Sequence, residues 1–169
     1  MKGENLFDLM QNSAISALAL HSFVLGYNRV SKGKNQRIQY PRIEYLFFVL
    51  PIVYNQSALE AFKSSEQLFT AISKNNSIIL GLQDRANKMS CQTFDGINLA
   101  FSKKILTYNN LDKTIEPLHG YKAQKIQYQK ESVGSDNSVR KIQITAYKLG
   151  AIFAKRNQKN IQIELNINF

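Results

Sequence analysis

The stretch LFDLMQNSAISALALHSFVLGYNRV, residues 6–30, decides the fold. Its apolar side chains recur at steps of three and four, the spacing of an α-helix, at Leu6, Met10, Ala14, Ala17, Leu20, Val24 and Tyr27. The second half of the stretch adds further apolar residues and is apolar nearly all round. We therefore predict a long first helix, and a helix of this kind is normally buried between other elements or between subunits.

A second apolar block follows at residues 45–54, YLFFVLPIVY. Pro41 suits the first turn of a helix, where its missing N–H costs no hydrogen bond. We therefore predict a helix over residues 42–54, with Pro51 kinking it or ending it near Leu50. A strand is the lesser alternative for so short an aromatic and β-branched run.

Two further segments have helical spacing. Residues 57–73 predict two short helices, or one helix interrupted near Ser64 and Ser65. Residues 78–105 predict a helix that contains Gly96. Because glycine is unfavourable inside a helix, this position marks either a break or a close contact with another helix.

The last third of the chain combines a hairpin, a helix and an alternating segment. Residues 105–108 and 114–118 predict two short strands around a polar turn. Ser138 is a good N-cap for a helix over residues 139–156. Near the C-terminus, apolar and polar residues alternate strictly. This pattern predicts a half-buried strand that pairs with the hairpin. Its buried side chains would be those of Ile161, Ile163, Leu165 and Ile167.

The combined prediction is a mainly helical α+β fold with four to six helices and a small antiparallel sheet, made of the hairpin and the C-terminal strand. At 169 residues and 44% apolar composition, the chain has material for one core, so we expect residues 1–169 to form a single domain. The segments 31–39 and 131–138 have the composition of flexible loops. A helix that leads into a hairpin also outlines a winged-helix element.

The positive charge lies mainly between residues 29 and 42 and in the C-terminal third. The chain has 22 basic and 12 acidic residues, a net charge of +10. Such an excess favours DNA or an acidic protein as partner, or is a solvated face. The candidate contacts to DNA or an acidic partner are Arg29, Lys32, Lys34, Arg37, Arg42, Lys103, Lys104, Arg140, Lys141, Lys148, Lys155 and Arg156.

Residues that carry catalytic chemistry are few. His21, His119 and Cys91 are far apart in sequence, so their spacing supports no metal site. We predict a core histidine at His21, a turn residue at His119 and a buried thiol at Cys91. No phosphate-binding glycine motif is present. We therefore expect no catalytic residue, no cofactor and no enzyme activity, with a Cys-His pair formed in space as the weakest alternative.

The sequence also bears on the cellular compartment. One cysteine cannot form an internal disulfide, and no N-terminal stretch has the order of a secretion signal. The longest apolar run, residues 45–54, is about half of what a membrane-spanning helix needs. We expect a cytoplasmic protein without a transmembrane segment.

The order of the segments resembles a known family. The apolar first helix, the block at 45–54 and the block AYKLGAIFAK at 146–155 are similar to the small middle components of bacterial ABC-ATPase three-component defence systems, a group that includes the Lamassu antiphage systems. The resemblance covers most of the chain. It implies a non-catalytic subunit that joins an SMC-like, Rad50-like ATPase to an effector, often a nuclease, in a hetero-oligomeric complex responding to foreign or aberrant DNA.

Two functions follow as hypotheses. In an adaptor, surplus apolar side chains would meet protein partners, and the candidates are Phe23, Leu46, Phe47, Phe48, Val49 and Phe62. The alternative is a stand-alone DNA-binding protein with a winged-helix element. Such a protein should carry basic and amide side chains along its recognition helix. The segment 78–105 gathers Lys103 and Lys104 only at its end, which weakens that alternative.

Overall fold

Helices make up most of the described chain, and a hairpin forms its sheet. A computed structural model describes residues 12–35, 39–65, 67–122, 126 and 138–169. In chain order, the elements of these residues are α1 (Ser13–Asn35), α2 (Ile43–Leu46), α3 (Val49–Val53), α4 (Gln56–Lys63), α5 (Leu68–Lys74), α6 (Leu82–Lys88), α7 (Ser90–Ser102), β1 (Leu106–Asn109), β2 (Thr114–Pro117), α8 (Ser138–Phe153) and α9 (Gln158–Leu165). The predicted mainly helical α+β fold is confirmed, but the helices are more numerous and several are shorter than expected.

The first helix is longer at its C-terminal end than its apolar pattern. Because α1 ends at Asn35, residues 31–35 are helical, and the prediction of a loop there was wrong. Polar composition alone does not end a helix, and the first proline after α1 is Pro41. The rest of the two predicted loops, residues 36–38 and 131–137, lies outside the described residues, except for residues 39 and 138.

The apolar block at 45–54 forms two short helices instead of one. The break falls at Phe47 and Phe48, between α2 and α3. In a continuous helix the amide of residue 51 would donate to the Phe47 carbonyl, but proline has no amide hydrogen. With the break ahead of it, Pro51 lies in the first turn of α3, where no hydrogen bond is lost. Pro51 thus interrupts the helix as predicted, but the break precedes it instead of lying near Leu50.

The next helices follow the predictions, with one break displaced. α4 and α5 are separate helices, which confirms the interruption near Ser64 and Ser65. α6 and α7 divide at Met89 and not at Gly96. Gly96 instead makes the close helix contact, because a Cβ there would lie only 2.8 Å from the Cβ of Ser16 in α1.

The sheet pairs with a different segment from the one predicted. β1 and β2 form the expected antiparallel hairpin, in which Tyr108 lies opposite Ile115. On the outer edge of β2, the Ile115 amide donates to the Pro41 carbonyl at 2.9 Å, and Arg42 forms an isolated bridge with Thr114. The residues before α2 therefore occupy an edge of the hairpin, where we had expected the C-terminal strand. Pro41 belongs to this edge and not to a first helical turn.

The predicted C-terminal strand is wrong, because these residues form α9. The Asn157 side chain accepts a backbone hydrogen bond of 2.8 Å in the first turn, and Asn166 ends the helix with a left-handed φ of 52°. Ile161 and Leu165 are buried, whereas Ile163 between them is 67% exposed. Strict alternation contains a four-residue spacing as well as a two-residue one. The two asparagine caps favour a helix, in which residues four apart, such as Ile161 and Leu165, lie on the same face.

The predicted long first helix is confirmed, and it is buried between other elements of the same chain. α1 packs most extensively against α8 and next against α7. The face of α8 that points into the core is the predicted one, and its buried side chains include Ile142, Thr145, Ala146, Leu149, Ile152 and Phe153. Among the described residues, no helix combines the length and the hydrophobicity needed to cross a membrane.

Candidate partner interface

Five of the six apolar interface candidates are core residues. Phe23, Leu46, Phe48, Val49 and Phe62 are all buried in the hydrophobic core. Packing within the chain accounts for these apolar side chains. For Phe23 in α1, the helices that pack against α1 are α7 and α8. In this conformation the five residues present no surface to a partner.

The sixth candidate, Phe47, leads to an exposed aromatic pair. Its half-buried ring packs edge-on against the ring of Phe94 in α7, with centroids 4.9 Å apart. Phe94 is 50% exposed. The sequence carried a signal for this residue, since Phe94 is a large apolar residue outside the set with helical spacing in residues 78–105. That set is Ile79, Leu82, Ala86, Met89, Thr93, Ile97, Ala100 and Phe101. We call Phe47 and Phe94 the aromatic pair.

Other exposed apolar side chains are distributed over the described surface. They are Phe69, Leu80, Tyr108, Leu111, Tyr121, Ile144 and Ile163. Exposed apolar residues that occur singly are ordinary on soluble proteins and identify no site by themselves. Phe94 differs from Phe69 and from the aliphatic members because the Phe47 ring packs against it, and Tyr121 likewise packs against the ring of His21.

The contact between α1 and α8 depends on glycine. A Cβ on Gly26 would overlap the Tyr147 carbonyl, and a Cβ on Gly150 would overlap the Phe23 carbonyl. Only glycine permits so close an approach of two helix backbones. Because Gly26 meets Tyr147 while the earlier Phe23 meets the later Gly150, the two helices run antiparallel. We call this contact the glycine seam.

The glycine seam brings cationic residues of two helices to one end of the pair. Arg29 in the C-terminal half of α1 lies at the same end as Arg140 and Lys141, which begin α8, and all three are exposed. The Arg29 Nη1 donates to the Tyr147 hydroxyl oxygen at 3.1 Å. This hydrogen bond raises the pKa of the Arg29 guanidinium above its usual value. Neither α1 nor α8 contains an Asp or Glu residue.

Three other basic candidates have local hydrogen-bond partners. Arg42 lies 3.0 Å from the Glu44 carboxylate, and Arg156 lies 3.0 Å from that of Glu164. The Lys148 ammonium donates to a backbone carbonyl of α4 at 3.4 Å. Because carboxylates neutralise Arg42 and Arg156 locally, these two residues are poorer candidates for contact with DNA or an acidic protein.

The remaining basic candidates that the structure describes lie on different elements. Exposed side chains near helix ends are those of Lys103, Lys104 and Lys155. Lys104 has a left-handed φ of 54° just after α7, so its backbone also serves the turn into the hairpin. The backbone of α1 includes Lys32 and Lys34, while Arg37 lies outside the described residues.

The outer face of α7 does not suit DNA reading. Its exposed side chains before the last turn are Cys91, Phe94, Asp95 and Asn98. A recognition helix presents basic and amide groups to base edges, and α7 has no Arg or Lys. The hairpin that would form the wing also has an edge paired with residues 41–42. These observations weigh against the winged-helix alternative.

The histidine predictions are confirmed. His21 is fully buried, and its Nε2 donates to the Tyr121 carbonyl at 3.0 Å. Burial lowers the pKa of His21 below its usual value, so the neutral form is favoured in the folded protein. His119 begins a short 3-10 turn after the hairpin, as expected of a turn residue.

The cysteine prediction is wrong, because Cys91 is exposed. It lies on the outer face of α7, while the inner face carries the buried Thr93 and Ile97. Within the part of the chain that the structure describes, no group of three or more His, Cys, Asp or Glu side chains could hold a metal ion.

Comparison with known proteins gives a match over nearly the whole chain. The sequence model of the family described as ABC-three component (ABC-3C) system Middle Component 3 matches residues 2–169. Neither a curated protein nor a solved structure gives a significant match. The matched range includes the aromatic pair and both helices of the glycine seam.

Proposed function

The chain belongs to the Middle Component 3 family of ABC-three component systems, and from this membership we propose that it is a non-catalytic adaptor subunit of a cytoplasmic defence complex. A middle component works with partner subunits. In our proposal the partners are an SMC-like, Rad50-like ABC ATPase and an effector nuclease, as in the Lamassu antiphage systems that the sequence resembles. The complex would act against viral or plasmid DNA.

The observation that carries this proposal is the aromatic pair. Phe94 leaves half of its surface in water, although burial of an aromatic ring is strongly favourable. The Phe47 ring and the helical backbone of α7 hold it in place, so little conformational freedom would be lost on binding. Aromatic anchors of this kind dominate the energetics of protein interfaces. The exposed neighbours of Phe94 on this face are the uncharged Cys91 and Asn98 and one charged residue, Asp95.

The stand-alone DNA-binding alternative rests on the net charge of +10. Part of that charge lies at one end of the pair formed by α1 and α8, and neither helix contains an acidic residue. The two functions differ in a measurable way. Duplex binding through phosphate contacts weakens steeply with added salt, whereas an interface built on an aromatic anchor changes little.

The test is copurification of the tagged chain with the products of the genes that neighbour its own. We expect both an ATPase and an effector to be recovered, and Phe94→Ser to lower that recovery at least about tenfold, as the loss of an aromatic hot spot does. Phe69→Ser is the matched control, because Phe69 is a similarly exposed phenylalanine on α5. It should leave recovery unchanged.

Two outcomes would contradict the adaptor. One is a chain that is recovered alone, without an ATPase or effector. The other is a well-behaved monomer that binds duplex DNA tightly at low salt and loses this affinity as salt is added, which would support the stand-alone DNA-binding function.

A further inference from the structure

One face of α8 remains at the surface and is chemically mixed. Its side chains recur at steps of three and four, and they are Arg140, Ile144, Tyr147, Lys148 and Ala151. We call this set the α8 stripe. Ile144 lies near its middle and is 39% exposed. The stripe therefore combines two apolar positions, one aromatic position and two cationic positions on one helix of 16 residues.

Arg29 of α1 extends the α8 stripe across the glycine seam. Gly26 lets the Tyr147 backbone lie against α1, about one turn before Arg29. The Tyr147 hydroxyl can then accept the 3.1 Å hydrogen bond from the Arg29 guanidinium. The glycine contact thus fixes the direction in which Arg29 points relative to the stripe.

Within the described residues, the Arg29 guanidinium is held in place by a hydrogen bond and has no carboxylate partner. Its hydrogen-bond partner is a phenol oxygen and not a carboxylate, and neither α1 nor α8 contains an Asp or Glu residue. A guanidinium presents five N–H donors, so the bond from Nη1 leaves donors for a carboxylate of another protein. Arg42 and Arg156, by contrast, already face Glu44 and Glu164.

We propose that the α8 stripe and Arg29 form the docking surface for an acidic, partly apolar segment of a partner subunit. A carboxylate of that segment binds the Arg29 guanidinium, and an apolar side chain packs over Ile144 and the Tyr147 ring. The inference rests on the proposed function, because it requires a partner subunit. The inference adds what kind of segment one partner would present. It also places the binding of that partner on α8, separate from the aromatic pair.

The composition of the stripe favours a protein over duplex DNA. A phosphate backbone offers anionic oxygens along its whole length but no apolar group that would bury Ile144. A protein segment supplies both a carboxylate and an apolar side chain. Tyrosine and arginine are also the residue types that most often dominate protein interfaces.

The test is calorimetric titration of the purified chain with the ATPase and effector subunits encoded beside it, each purified separately. For one of them we expect Arg29→Glu to weaken binding at least about thirtyfold, because it places a carboxylate against a carboxylate. Lys159→Glu makes the same charge change at the exposed start of α9 and should change affinity less than about threefold. Ile144→Ser should weaken binding of the same subunit, which gives a second variant if Arg29→Glu does not fold.

Each outcome decides something definite. If a partner binds and neither Arg29→Glu nor Ile144→Ser weakens it, the docking surface is wrong while the adaptor function stands. If Arg29→Glu abolishes binding of a labelled DNA duplex and leaves subunit binding intact, the surface serves nucleic acid and the inference is overturned. If no partner binds the wild-type chain, both the inference and the proposed function fail.

Discussion

The helices α7 and α8 use the same means of packing against α1 but show different chemistry to solvent. Each approaches α1 through glycine, α7 at Gly96 and α8 at the glycine seam. The outer face of α7 carries Phe94 and no basic residue before the helix ends, whereas the outer face of α8 carries Arg140 and other cations with no acidic residue. One central helix is thus covered by two helices whose free faces suit different partners.

The comparison separates two roles of sequence in these helices. Glycine and the buried stripe determine how close each helix lies to α1. Residues off the buried stripe determine what each helix offers to a partner. Substitutions at the crossings should therefore change stability, and substitutions on the free faces should change binding.

The largest expected effect is that of Gly26→Ala in the glycine seam. The new Cβ would overlap the Tyr147 carbonyl, which is backbone and cannot move without displacing α8. We expect a loss of about 3 kcal/mol or more in the free energy of unfolding, at the upper end of the usual cost of overpacking, although alanine favours helices over glycine. Chemical denaturation measures it.

Gly120→Ala is the control for this substitution, since no atom lies within 4 Å of the Cβ it would add. Its free energy of unfolding should stay within about 0.5 kcal/mol of that of the wild type. A Gly26→Ala protein as stable as the Gly120→Ala protein would show that α1 and α8 do not approach closely.

A smaller effect is expected for Gly96→Ala at the α7 crossing. The nearest atom to the new Cβ is the Ser16 Cβ at 2.8 Å, and the next is a backbone nitrogen at 3.2 Å. Small shifts of α7 can relieve this overlap, and the helix propensity of alanine offsets part of the cost. We expect a loss of about 1 kcal/mol, the lower end for overpacking. If Gly26→Ala and Gly96→Ala lower the free energy of unfolding equally, α7 does not approach α1 less closely than α8 does.

Acid should destabilise α1 through His21, which lies along α1 between the residues that contact α7 and those that contact α8. Burial lowers the pKa of His21 in the folded state, so the unfolded chain binds the proton first as pH falls. The stability from neutral His21 is therefore complete above the ordinary pKa of about 6.5 and is lost below it, towards the lowered folded pKa. Each unit of lowering corresponds to about 1.4 kcal/mol.

The measurement is the denaturation midpoint of the wild type and of His21→Gln between about pH 7.5 and pH 5. His21→Gln should be less sensitive to acid, and His119→Gln should retain the sensitivity of the wild type. If the midpoints of all three proteins fall in parallel, His21 does not carry the pH dependence.

The smallest effect on stability is expected for Phe94→Ser on the free face of α7. Half of this side chain is already exposed, and its main aromatic contact is the Phe47 ring. We expect a loss of about 0.5 kcal/mol, the lower end of the contribution of an aromatic pair. A loss as large as that of Gly26→Ala would make Phe94 a structural residue and would remove the argument for an interface there.

Some elements followed directly from the sequence. Helical spacing over residues 139–156 predicted six of the nine buried residues of α8, because it selects one side of a long helix whatever packs on it. Val139, Gln143 and Gly150 are also buried and were not among the six. The hairpin was predicted from two short runs around a polar turn. The C-terminal segment was not, since its alternation also contains the spacing of Ile161 and Leu165 on one helix face. Local capping by Asn157 and Asn166, and not periodicity, separates the two structures.

The candidate interface was less predictable than the fold. Phe23 and Phe94 are both phenylalanines within predicted helices, yet the first is fully buried and the second half exposed. Both lie outside the helically spaced sets predicted for their segments, so spacing along the chain does not distinguish them. The sequence marked the apolar surplus correctly but assigned most of it to partners, whereas the chain uses it for its own core.

The sequence by itself determined that most of the chain is helical, where the hairpin lies and how charge is distributed, because periodicity and charge depend on neighbours along the chain. It did not determine that residues 31–35 and 158–165 are helical. The tertiary structure decided which apolar side chains stay at the surface and which cations lie together. Those outcomes depend on contacts between α1 and helices at least about sixty residues away in sequence, as when Gly26 admits Tyr147 and so brings it to Arg29. The exposure of a side chain is set by whether another element covers it, and spacing along the chain does not contain that information.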